Sequence, residues 1–134
     1  MSYSIYLLRF VDGEVVALDA EQFRRMIEPY VVARSSEEGF SQLRAEDGGE
    51  ADLYHASQAD EGLSSVMATH FARGAMSGML TRLAAALGAS IVPQDGGALI
   101  FHLDDRRHLP AQFQEKAVVI EPTADAFQAA LDAL

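Results

Sequence analysis

Residues 3–11 read Tyr-Ser-Ile-Tyr-Leu-Leu-Arg-Phe-Val, and this run decides the fold class. It is rich in β-branched and aromatic residues and almost wholly apolar, as a strand central to a sheet must be. Asp12-Gly13 ends it with a turn signal.

The next segment changes period. Asp19 is placed as a helix N-cap, with Gln22 three residues on completing a capping-box pattern and Leu18 and Phe23 at the positions of a hydrophobic staple. Phe23, Met26, Ile27 and Tyr30 recur at helical spacing on one face. Pro29 predicts the end of that helix, because its ring clashes with the preceding turn.

Further out, 40–45 and 50–56 flank Asp47-Gly48-Gly49 as a hairpin, since glycine supplies the positive φ that the turn needs. Residues 63–71 read as another strand. Residues 74–87 read as a helix with Met76, Met79, Leu80, Leu83 and Leu87 in one stripe and Gly88 past its end. A second hairpin, 90–93 and 98–103, surrounds Asp95-Gly96-Gly97. Pro110 opens a short helical turn through Gln114, residues 117–121 are a short strand, and Thr123 caps a last helix carrying Phe127, Leu131 and Leu134.

The order predicts an α/β (α+β) fold: a mainly antiparallel sheet of about six or seven strands with two main helices. It admits tandem β-α-β-β units plus a C-terminal β-α, with structural halves 1–63 and 64–134 inside a single domain, 1–134. The predicted core holds Ile5, Leu7, Phe23, Ile27, Leu43, Leu53, Val66, Met79, Leu80, Leu83, Ile91, Ile100 and Val119.

Composition narrows the function. Net charge is −10, and residues 1–63 hold 13 Asp and Glu against 5 Arg. Such a chain repels phosphate backbones and anionic membranes, so nucleic acid and membrane are not expected partners. No cysteine is present, which removes disulfides and thiolate chemistry. With no basic segment before the first apolar stretch, a secretory signal is not expected, and a cytoplasmic location is.

The histidines are His55, His70, His102 and His108. None stands at the i, i+4 spacing of a helical metal site. If the strand at 98–103 continues, His102 and Asp104 project to one side, where an imidazole and a carboxylate suit a divalent ion or acid–base pair. His70 ends a strand just before the second helix, and His55 receives no role. The serines form no Gly-x-Ser-x-Gly elbow, and the glycines form no phosphate loop. Met67, Met76 and Met79 suit either an apolar pocket or ordinary core.

The opening Met1-Ser2-Tyr3-Ser4-Ile5-Tyr6-Leu7-Leu8-Arg9-Phe10, the segment Asp47-Gly48-Gly49-Glu50-Ala51-Asp52 and His108-Leu109-Pro110 resemble small uncharacterised bacterial proteins of this length, a likeness that implies no activity. The tandem β-α-β-β order is similar to the paired modules of GyrI-like ligand-binding domains. A looser likeness, to vicinal-oxygen-chelate enzymes, implies a strand-borne metal site to which His70 and His102 would contribute.

The reading is therefore a non-enzymatic binding protein for a basic protein partner or a small ligand, with no cofactor. Glu37, Glu38, Asp60 and Glu61 are the expected partner-binding residues, with Glu46, Asp47 and Glu50 at the hairpin tip. The alternative is a small metal-assisted or His-dependent enzyme using His70, His102 and Asp104.

Overall fold

The structure, a computed structural model, describes residues 3–35, 39–58 and 62–133. Their elements are β1 (Ser4–Val11), β2 (Glu14–Val16), α1 (Ala20–Ile27), a 3₁₀ turn (Glu28–Tyr30), β3 (Val31–Ser35), β4 (Phe40–Arg44), β5 (Glu50–Gln58) and β6 (Gly62–Thr69). There follow α2 (Ala75–Ala86), β7 (Ser90–Pro93), β8 (Ala98–Ile100), a 3₁₀ segment (Leu103–His108), α3 (Ala111–Gln114), β9 (Ala117–Val119) and α4 (Ala124–Asp132). The fold is α+β, built on a mixed, mostly antiparallel open sheet ordered β3-β4-β5-β6-β1-β7-β8-β9, with β2 paired to β1.

The opening run is central, as its composition predicts: β1 lies between β6 and β7, antiparallel to both. Ile5 and Leu7 are wholly buried on the helical side, level with Ala68, Val66 and Ile91. Asp12 and Gly13 both take positive φ, at 52° and 84°, and fold β2 back on the end of β1. Glycine is needed at the second of these; Asp12 tolerates the first because its short side chain suits the left-handed region.

The sheet has nine strands among the described residues, against the six or seven expected. The additions are β2 and β3, short and largely exposed strands whose residues do not alternate between apolar and polar. Predicted strands also end early: 63–71 stops at Thr69 and 117–121 at Val119. The strand from 98 stops at Ile100, and the charged stretch after it winds into a 3₁₀ segment. Val119 is 48% exposed, because β9 is the sheet's edge. The other twelve predicted core residues are all buried.

One sheet runs through both sequence halves. A two-fold axis between β6 and β1 would carry β5 onto β7 and β4 onto β8. A repeated β-α-β-β unit needs β4 onto β7 instead, so the strand order lacks that internal symmetry.

Helices α1, α2 and α4 share one face. Asp19 accepts from the Gln22 N–H at 3.0 Å, and α1 gives way to the 3₁₀ turn at Pro29. Phe23 and Ile27 enter the core with Leu43, Leu53 and Leu63. Helix α2 is buried on most sides because α4 covers it; at Gly78 a side chain would press on Arg82 and Ala124. Met76 and Met79 are core, whereas Met67 stands on the opposite sheet face. There a second cluster, Phe10, Val92, Ala98, Ile100 and Leu109, packs with Phe113 beneath the 3₁₀ segment. The same face continues as a cross-strand row, Phe40, Tyr54, Met67 and Tyr6, in which the two tyrosines are exposed.

Candidate functional site

The hairpin register builds the site. The Asp47-Gly48-Gly49 turn pairs Arg44 with Glu50, which sets Ser41 opposite Leu53 and turns Ser41, Leu43, Ala51, Leu53 and His55 to the helical side. The pairing irregularity of β3 leaves Arg34 directly across from Ser41 on that same side. At Gly39, φ is +61°, and a side chain there would collide with the His55 carbonyl at 2.6 Å. That glycine lets the Gly39 carbonyl accept from the His55 N–H at 2.8 Å.

Helix α1 spans the strands above this patch but does not close it. A pocket of about 310 Å³ remains. Phe23, Ile27 and Leu63 form its apolar wall, and Arg24, Arg34, Ser41 and His55 supply its polar groups. Ser41 Oγ and His55 Nε2 share a hydrogen bond of 3.1 Å, and the edge of the imidazole meets Phe23, with ring centres 5.4 Å apart. Burial, aided by the Arg34 and Arg24 charges, pushes the His55 pKa below the ordinary histidine value, while a hydrogen bond to its own backbone works the other way. The imidazole is therefore neutral at pH 7, an acceptor or donor beside a serine hydroxyl. Arg34 is tied to Glu28 at 2.7 Å. Arg24 has no ion-pair partner among the described residues.

A second pocket, of about 490 Å³, lies at the other end of β6 between His70, Phe71, Arg73 and α4. Its charges are already matched: His70 meets Asp52 at 3.1 Å, and Arg73 faces Asp132 at 3.5 Å. Its charged side chains are paired with one another, while the buried Tyr3 hydroxyl in its wall has no hydrogen-bond partner among the described residues.

His70, His102 and Asp104 are not brought together. His70 follows Thr69, which pairs with Ser4 at the start of β1. His102 follows β8 at the opposite end, where the His108 carbonyl accepts from Gly13 beyond the end of β1. Some six strand residues separate the two levels, on the order of 20 Å. His102 and Asp104 are both exposed, and because the strand ends before them they are not held on a common strand face. Among the described residues no three His, Asp or Glu side chains are grouped to hold a metal ion.

Glu37, Glu38, Asp60 and Glu61 lie outside the described residues. Of the hairpin-tip acids, Glu50 pairs with Arg44 at 3.0 Å, Asp47 is hydrogen-bonded to backbone amides, and Glu46 is exposed.

Sequence reasoning passed over His55 and Ser41. The signal was available: counting outward from the Asp-Gly-Gly turn gives both residues the parity of Leu43 and Leu53. Among the described residues no helix is long and apolar enough to cross a membrane. The chain matches no protein-family model, no curated protein and no solved structure.

Proposed function

We propose that this chain is a binding protein for a small molecule, seated between α1 and strands β3–β5. The observation that carries the reading is the partly apolar pocket in which a neutral Ser41–His55 pair and two arginines converge. A few polar groups on an otherwise apolar concavity are what a ligand site needs: the wall supplies burial, and the polar groups fix orientation. The reading is non-enzymatic, because among the described residues the imidazole is turned to the buried Ser41 hydroxyl and no group orients it as a base toward a reacting atom. Ser41 is 2% exposed, and its hydroxyl is engaged.

The test is a fragment library screened against the full chain by NMR, following the His55 ring and Gly39 amide signals. Binders should move both signals, and Ala20→Phe, which fills the pocket from the helix side, should remove the response. A library in which no fragment moves them, or in which Ala20→Phe binds as well as wild type, overturns the reading.

A further inference from the structure

The pocket's cations point to the kind of molecule it takes, an inference that rests on the ligand-binding reading above. The chain carries a net charge of −10, yet among the described residues the charged side chains lining this opening are both arginines. Arg34 already holds Glu28, so its charge is largely spent. Arg24, from α1, meets no carboxylate among the described residues, which together place about one unpaired positive charge at the mouth. Beside it stand the Ser41 hydroxyl and the His55 imidazole, and behind them Phe23, Ile27 and Leu63.

We propose that the pocket binds an amphipathic monocarboxylate, its carboxylate against Arg24 and its apolar body against Phe23, Ile27 and Leu63. One guanidinium without an ion pair among the described residues matches one negative charge in fork geometry, whereas a phosphate dianion would leave a negative charge unmatched. The volume, at roughly 30 Å³ for each water-sized group, holds roughly ten such groups, the size of an arylalkanoic acid.

The proton balance follows from the same groups. Those facing the imidazole are Arg24 from α1, Arg34 from β3 and Ser41 from β4, and the two cations disfavour a third charge there. An anion lodged among them cancels part of that repulsion. Binding then raises the His55 pKa and tightens as pH falls toward the range where the imidazole protonates.

Calorimetry on the full chain with phenylacetate, 4-phenylbutyrate, their primary amides and phenethylammonium tests this. The acids should bind, the amides about tenfold more weakly, and the ammonium not at all. Arg24→Gln should weaken the acids by about tenfold and leave the amides unchanged, while Arg25→Gln, one residue on and outside the pocket lining, should change neither. Equal binding of acids and amides, or acids indifferent to Arg24→Gln, overturns the monocarboxylate assignment. So does failure of every acid while other library fragments bind, and in each of these cases the ligand-binding reading stands. Failure of the whole library, or binding that Ala20→Phe leaves unchanged, removes both.

Discussion

The Asp47 carboxylate accepts a hydrogen bond from the Ala75 backbone N–H at 3.1 Å, so the tip of the first hairpin caps a helix that begins 28 residues later. The same carboxylate accepts from the Gly49 N–H at 2.9 Å. Gly74, at the N-cap position of α2, has no side chain to do this work, and any side chain there would collide with Asp47. One carboxylate thereby fixes both the turn and the start of the most buried helix.

Asp47→Ala should therefore lower the unfolding midpoint by more than Glu46→Ala, its exposed neighbour. The two amide hydrogen bonds hold the Asp47 pKa below the usual carboxylate range. A depressed acid stabilises the fold above its unfolded pKa, and that contribution is lost as pH falls through the folded value. The gap between wild type and Asp47→Asn, read from thermal melts, should narrow below about pH 4. A constant gap from pH 7 to pH 3 would rule out the charge as its source.

Local order was legible wherever one residue type dictates one geometry. Asp19 and Pro29 bound α1, Thr123 caps α4 through the Ala126 N–H, and Gly88 takes the positive φ that ends α2. Asp47 shows where such reading stops. It was read as a turn former and surface acid, and nothing local to it marks Ala75 as its partner. The pocket was hidden for a related reason. Arg24 and Arg34 come from different elements, and Arg34 sits on a strand whose Val-Val-Ala-Arg-Ser sequence has no period. Their meeting over Ser41 depends on strand order, which local patterns do not encode.

The α2–α4 contact gives the largest expected stability effect. Phe127 is wholly buried, and its ring centre lies 6.0 Å from that of Phe71. Phe127→Ala should cost about 3–5 kcal/mol through lost burial and the cavity left behind. Phe127→Leu should recover much of that. Chemical denaturation of both variants decides the matter; a loss below about 1 kcal/mol for the alanine variant would mean that α4 is not packed as described.

Ser41→Ala removes the hydroxyl paired with His55 Nε2. The expected cost is about 1 kcal/mol, since a partly buried ring nitrogen loses its partner. The imidazole should also gain mobility, seen as exchange broadening of its ring protons. Unchanged stability together with an unchanged ring spectrum would show that the hydrogen bond is not formed in solution.

His55 should make stability depend on pH between 7 and 5. Burial first, then Arg34 and Arg24, hold its folded pKa below the ordinary value of 6.5. The unfolded chain takes up a proton near that ordinary value, while the folded chain does so only at lower pH. The contribution is thus fully present above about pH 6.5 and is lost as pH falls through the folded pKa. His55→Phe retains an aromatic ring against Phe23 and cannot titrate. Urea midpoints measured across this range should therefore fall more steeply for wild type than for His55→Phe, the other three histidines being common to both. Direct NMR titration should place the His55 midpoint below 6.5. Parallel stability curves, or a His55 midpoint at or above 6.5, would show that the two arginines and the pocket wall do not act on this ring.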